Sequence, residues 1–194
     1  INTSSHHDDN WESTPRVALI YFIDTHHTLK FLYGEALNRP GLFQRVDSLT
    51  ELDNEKNKTT EIVYIGSLSE KFSISASFFH NELENLSTRV TFLIDATTRG
   101  SRVENIGSFN TDGVEFGVSW LLIETLRIDV NLTQQNSKDQ RPGFEQLQPA
   151  YSPKTLANFN LLYTLNPQIN LSLFGRYVDE METLWIEDVN TLDS

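Results

Sequence analysis

The chain has 194 residues, 27 Asp and Glu against 15 Lys and Arg, a formal net charge of −12, and no Cys. The lack of Cys excludes a disulfide scaffold, a thiolate metal site and a Cys nucleophile, and the acid surplus argues against nucleic acid, whose phosphates need surplus Lys and Arg. No run approaches the ~18 apolar residues of a membrane-spanning helix, and no basic-then-apolar start reads as a signal peptide; a transmembrane β-barrel, with strands only half hydrophobic, stays open.

In chain order, residues 1–14 hold Asp8, Asp9 and Glu12 and no Lys or Arg. His6-His7-Asp8-Asp9 are metal-ligand types, but sequence neighbours seldom converge on one ion without a folded frame, so they read as a solvated loop. Strands are expected over 16–22 and 28–34, joined by a short link at 23–27 in which His26 and His27 fill a turn. A long connection, 35–57, precedes a strand at 58–67 with Ile62 and Tyr64 on one face and Glu61 on the other. Strict period-two alternation follows a short link at 67–71. In 72–78, Phe72, Ile74, Ala76 and Phe78 alternate with Ser73, Ser75 and Ser77. His80 is expected at the rim of that strand. A second long connection, 80–108, holds the apolar stretch Val90 to Ile94, which suggests a hairpin continuing the flanking strands.

In 114–120, Val114, Phe116, Val118 and Trp120 alternate with Glu115, Gly117 and Ser119. In 126–133, Leu126, Ile128, Val130 and Leu132 alternate with Arg127, Asp129, Asn131 and Thr133. After a third long connection at 136–153 come strands at 155–163 and 169–177, with Asn158, Asn160, Asn170, Ser172 and Arg176 on their polar sides. Residues 178–194 carry six acidic residues and no basic one. The two ends thus hold nine of the twelve excess negative charges, and residues 15–177 are nearly balanced.

No segment shows a comparable 3.6-residue stripe, so the fold class is all-β. Short and long connections alternate strictly. A sandwich has no need of that rhythm, whereas a membrane barrel places short turns on one side and long loops on the other. The polar face is small and neutral, rich in Ser and Asn, which suits a hydrated or plugged lumen. Tyr33, Trp120, Tyr163 and Tyr177 lie near strand ends, where interfacial aromatic girdles belong. The expected architecture is an antiparallel transmembrane β-barrel segment, a partial barrel of about eight to ten strands.

The chemistry-bearing motifs are few. There is no G-x-S-x-G elbow, phosphate loop, G-x-G-x-x-G or H-E-x-x-H, and no spacing marks out a glycosidase carboxylate pair. An enzyme is not expected, nor a cofactor or metal site. N-x-S/T triplets fall partly inside expected strands and read as chance. Glu115 lies on the inward face, because a charge facing lipid at that depth is costly. It suits a contact to a plug or a cross-strand partner. Gly107 and Gly113 read as barrel-shaping positions, and Arg39-Pro40-Gly41 as the start of an outer loop.

Several segments, in order, resemble the C-terminal half of the barrel of TonB-dependent outer-membrane receptors. PRVALIYF (15–22) is similar to a proline-led strand before a short turn. YGEALNRPGLF (33–43) resembles "Y-G-x-A-x-R-x-P", with Arg39 and Pro40 adjacent here. ELDNEKNKTTEIVYIG (51–66) resembles "L-x-P-E…E-x-G", with Asn54 in place of Pro, Glu61 as the second acid and a longer spacing to Gly66. ENIGSFNTDGVEFGVSW (104–120) is the sharpest, matching "x-N-x-G…x-G-x-E" through Asn105, Gly107, Gly113 and Glu115. SPKTLANFNLLY (152–163) resembles "x-P-x-x-x-x-N…Y" through Pro153 and Asn158.

The resemblance implies an outer-membrane active transporter of a Gram-negative bacterium. It would take a scarce nutrient such as a ferric siderophore, a corrinoid or an oligosaccharide, with energy supplied through the TonB complex. Such receptors combine an N-terminal plug with a barrel of roughly 22 strands. No candidate plug, TonB-binding box or final strand ending in an aromatic residue is seen. Residues 1–194 are therefore expected to be a fragment of the barrel domain, with 1–14 and 178–194 as acidic loop-like ends. Its partners would be the nutrient ligand, outer-membrane lipid and, through the missing N-terminal part, TonB. A passive porin and a soluble β-rich binding module are the alternatives.

Overall fold

The computed structural model describes residues 12–48, 51–94, 98–140 and 152–181. The His6–Asp9 cluster and most of both acidic ends lie outside these residues. The described chain forms eight strands: β1 (Arg16–Phe22), β2 (His27–Asn38), β3 (Glu55–Ser69), β4 (Phe72–Leu93), β5 (Arg99–Ile123), β6 (Leu126–Asp139), β7 (Thr155–Asn166) and β8 (Ile169–Val178). A single five-residue helix, α1 (Leu42–Val46), sits between β2 and β3.

The strands make one antiparallel meander in sequence order, β1 to β8. Among the described residues β1 and β8 do not pair, so the sheet is an open section of wall. Three links at one end are only two residues long: Glu70-Lys71, Glu124-Thr125 and Pro167-Gln168. The fourth, between β1 and β2, is an Asx turn, in which Asp24 Oδ1 accepts the amides of His26 at 2.7 Å and His27 at 2.8 Å. Long connections lie at the opposite end.

The pairing register carries the alternation from strand to strand. Phe78, Ala76, Ile74 and Phe72 face Val114, Phe116, Val118 and Trp120. These continue to Leu132, Val130 and Ile128 on β6 and then to Ala157, Phe159 and Leu161 on β7. On the other side the row runs through Ile62 and Tyr64 to Phe31 and Leu29, and on to Leu19 and Tyr21. One face is thus apolar from β1 to β8, and Ser, Thr and Asn dominate the central part of the other.

Burial shows what the apolar face is for. Among the described residues only Leu52, Phe79 and Val103, besides Pro40, are buried apolar side chains, whereas Leu19 is 65% and Leu173 58% exposed. A water-soluble domain of this length would collapse such residues into a core. Here they form a continuous outer surface, as a lipid-facing wall requires. Phe72 and Trp120 meet edge-to-face at 5.9 Å near the short-turn end. His27 stacks on Tyr64 at the same end and hydrogen-bonds its hydroxyl at 2.7 Å.

The long connections are partly structured. Residues 80–108 continue the flanking strands as a hairpin, as the Val90 to Ile94 stretch suggests: β4 and β5 run through them and pair as far as Leu93 and Arg99. With 22 and 25 residues, these strands exceed the ~9–11 residues that cross a bilayer. Their distal halves form a hairpin standing beyond the apolar band. The connection at 35–57 shrinks to 39–54 and contains α1.

The two faces should respond differently to charge. Val118→Arg, on the apolar face, is expected to lower folding stability in bilayers by about 2–4 kcal/mol, while Asn131→Arg, one strand away on the polar face, changes it little. Denaturant titration of the bilayer-inserted protein checks the difference.

Candidate functional site

The site-level features fall at three heights. The highest is a knot of hydrogen bonds where the strands leave the apolar band. Asn105, on β5, reaches two other segments. Its Oδ1 accepts the Asp53 amide at 2.7 Å, and its Nδ2 donates to Asp53 O at 3.1 Å and Asn85 O at 2.6 Å. Asn85 is the one described non-glycine residue at positive φ, 58°, and it sits where the β4–β5 register shifts between Leu83 and Ser87. This is a bulge in the left-handed region, tolerable for Asn. Gly107 belongs to the same device, since a Cβ there would stand 2.6 Å from Leu86 Cβ. The Asn105 and Gly107 pair therefore serves one bulge, Asn105 by pinning it and Gly107 by making room.

Glu55 completes the knot. Its carboxylate accepts Asn38 Nδ2 at 2.8 Å and the Ser87 amide at 2.9 Å, linking β2, β3 and β4. Leu52, in the segment leading into β3, is buried, and Asn54 hydrogen-bonds Glu12. Arg39 is exposed at the start of the outer connection, while Pro40 is buried and its carbonyl accepts Arg45 Nε at 3.1 Å. Pro153, entering β7, offers its carbonyl to Gln135 Nε2 at 3.0 Å.

At membrane depth the polar face carries the inward groups. Glu61 and Glu115 line one shallow depression with Ser75, Ser77, Asn131 and Thr133. Thr133 Oγ1 donates to Glu115 at 3.4 Å. Gly113 lies opposite Phe79, and a Cβ at 113 would collide with the Phe79 ring. Gly at this position lets the ring lie flat over β5. Ser77 Oγ and Asn81 Oδ1 flank Phe79 on this face, buried and without a hydrogen-bond partner among the described residues. Asn158 lies between Asn131 and Arg176 in the register. Arg127 is held by Asp129 at 3.1 Å, and Asp129 also accepts Ser119 Oγ at 2.7 Å.

On the outward face, immediately above the apolar band, charges form a ladder. Glu35 pairs with Lys56 at 2.6 Å, and Lys58 with Glu84 at 2.7 Å and Glu82 at 3.6 Å. His80 is hydrogen-bonded to Asp112 at 2.7 Å and to Glu82 at 3.3 Å. The hydrogen bond to the Asp112 carboxylate raises the His80 pKa; burial opposes it, and Glu82 adds a lesser push upward. The hydrogen bond that Lys58 donates to Glu84 likewise raises the Lys58 pKa. Among the described residues no group of three or more His, Asp or Glu side chains could hold a metal ion.

A family model described as TonB dependent receptor-like, beta-barrel, matches residues 2–193. The chain belongs to the TonB-dependent receptor family. Solved structures of similar fold include the FrpB iron transporter of Neisseria meningitidis (F3-3 variant), at 18% identity over 85% of this chain and 26% of that one, with TM-score 0.63. The ferric-catecholate import receptor Fiu of Escherichia coli K12 gives 17% identity over 86% and 24%, with TM-score 0.66. The siderophore receptor PiuA of Acinetobacter baumannii gives 19% over 87% and 26%, with TM-score 0.63. The chain thus spans about a quarter of the length of these receptors. A comparison with curated proteins found no match.

Sequence reasoning singled out Asn105, Gly107 and Gly113 but not their partners, Asn85, Leu86 and Phe79. It stressed Glu61 in the 51–66 block and passed over Glu55, which makes the cross-strand bonds. Its signal was available in the same "L-x-P-E" segment. The structure does not bring Arg39 or Pro153 near Glu61 and Glu115; they stand at the long-connection end.

Two measurements follow from this geometry. Glu55→Ala strands the Ser87 amide and is expected to lower stability by about 1–3 kcal/mol, read as a reduced unfolding midpoint. His80 favours its charged form in the fold, so its contribution is full below the unfolded pKa of about 6.5 and fades as pH rises through the raised folded value. Relative to the parent, His80→Gln should therefore lose more stability near pH 5.5 than near pH 8.5, by under about 1 kcal/mol for so exposed a pair.

Proposed function

We propose that this chain is a wall section of a larger outer-membrane transporter that imports a scarce nutrient with energy delivered through TonB. The observation that carries the reading is the family match over residues 2–193, on a sheet apolar on one face and polar on the other. Outer-membrane lipid covers the apolar face. The wall does no covalent chemistry, and its work is to bound a lumen and hold the outer connections.

The nutrient class best supported is a ferric siderophore, because similar folds include receptors named for iron, ferric-catecholate and siderophore uptake. A corrinoid or an oligosaccharide is the alternative cargo. Ligand capture falls to the long connections, which gather at the end opposite the two-residue turns, with Arg39 and Pro40 opening one of them.

An internal plug is the partner for the polar face. Glu61 and Glu115 lie in one depression, and Ser77 Oγ and Asn81 Oδ1 are buried yet unbonded among the described residues. Buried polar atoms of this kind ordinarily find partners, and a plug surface supplies them. Gly107, Gly113, Pro153 and Asn158 shape the wall and contact no ligand in this reading.

Uptake of labelled ferric siderophore by cells making the intact receptor tests the reading. Uptake should require TonB and vanish when the proton gradient is collapsed. Uptake that persists without TonB would replace the reading with a passive channel. The isolated 1–194 chain, an open sheet, should support neither uptake nor channel conductance in planar bilayers.

A further inference from the structure

The outer connection 39–54 does not stand free of the sheet. Its described residues are fastened to the distal part of β4 and β5 at two points of different chemistry. The first is Asn105, whose side-chain amide uses its acceptor and its donor on the backbone of Asp53. Asp53 is pinned by the same side chain that pins the bulge at Asn85. The second is Asp47, whose carboxylate pairs with Arg89 and whose carbonyl accepts the Val103 amide at 3.2 Å. Arg89 is itself steadied by Ser101 Oγ at 3.0 Å.

Asp47 is also the residue that ends α1, its own amide bonding Phe43 O at 3.1 Å. Whatever holds Asp47 therefore sets where α1 stands. That helix turns apolar side chains outward, with Leu42 75% and Phe43 87% exposed.

The two fastenings differ in strength. The Asn105 contacts are short, neutral and directed at backbone, so salt leaves them intact. The Arg89–Asp47 pair is roughly half exposed on both sides, and exposed ion pairs are weak and screened by salt; with the pair screened, only the single Val103 amide to Asp47 carbonyl bond is left at this end.

We propose that the described parts of the outer connection, 39–48 and 51–54, and the distal strand segments 86–93 and 99–107 form one outer lobe, in which Asn105 is a fixed pin and the Arg89–Asp47 pair a releasable latch that sets the stance of α1. The lobe rests on the receptor reading for its use, because it would control how α1 is presented to an arriving ligand. Its existence does not depend on any ligand. Asn105 is a positioning residue here, acting through Asp53 and Asn85.

Distance measurement between spin labels tests this on the intact receptor in bilayers. This chain contains no Cys, so none of its own residues competes for the label, and any Cys elsewhere in the receptor is replaced first. One label replaces exposed Leu42 on α1 and one Thr91 on the hairpin; a control pair replaces Ser73 and Asn160 within the wall. The parent should give one narrow distance between 42 and 91. Arg89→Gln, or high salt acting on the parent, should add a second, longer population while the control pair is unchanged. The paired exchange Asp47→Arg with Arg89→Asp should restore the narrow distance.

Asn105→Ala should abolish the narrow component, and Asn105→Asp, which keeps the acceptor for the Asp53 amide, should retain part of it. An unaltered distribution in Arg89→Gln, or in Asn105→Ala with the control pair intact, would overturn the proposal. Neither readout involves uptake, so a failed latch and a failed transport reading are told apart: the first changes only distances, the second only TonB-dependent uptake.

Discussion

Backbone hydrogen bonding across the apolar layer is the constraint on which this structure depends. In a bilayer core no water satisfies an unpaired amide or carbonyl, so each strand must bond sideways to its neighbours. From β2 to β7 every strand does so on both edges. Once pairing is fixed, the pleat sorts side chains by parity, and a slip of one residue would turn the whole apolar row of a strand into the lumen. The two-residue links at Glu70-Lys71, Glu124-Thr125 and Pro167-Gln168 leave little room for such a slip.

Where the strands leave that layer the constraint relaxes, and other chemistry takes over. Beyond Phe78 and Val114 the outward face turns from apolar to charged within one step of the alternation, at His80 and Asp112. Above them β4 bulges at Asn85, and side chains begin to bond backbone on other segments. Asn105 and Glu55 between them join β2, β3, β4 and β5 and the segment leading into β3. The wall is thus held by ladder bonds at membrane depth and by side-chain knots above it. Glycine matters at both heights for one reason, room for a neighbour: Gly113 for the Phe79 ring and Gly107 for Leu86.

The readable parts of the sequence are those governed by parity. Strands β4 to β8 stand where period-two alternation puts them, apart from the distal parts of β4 and β5, because lipid on one side and a polar lumen on the other impose the strictest pattern a strand can carry; β1, RVALIYF, is almost wholly apolar and shows no such alternation. Residues 80–108 were harder, since His80, Asn81, Glu82 and Glu84 are polar on both faces and leave no alternation to see. That stretch is strand because its partner is strand. Helix α1 has five residues, too few for a helical stripe. Asn105 was visible as a motif residue, but its partner Asp53 lies 52 positions away, and no local pattern connects them. Glu55 stood in a recognisable segment, yet nothing in its neighbours says that its carboxylate spans three strands.

The central claim is that the two faces of this sheet meet different solvents, and accessibility measures that directly. Single Cys residues replace Phe116, Val118 and Leu173 on the apolar face and Ser75, Asn131 and Asn160 on the polar face of the bilayer-inserted receptor, and each is spin-labelled. Relaxation by oxygen, which concentrates in lipid, should dominate at the first three. At the second three, oxygen relaxation should be weak, with relaxation by a water-soluble nickel complex appearing wherever the lumen is hydrated. Strong nickel relaxation at Phe116, Val118 and Leu173, or strong oxygen relaxation at both sets alike, would contradict the account.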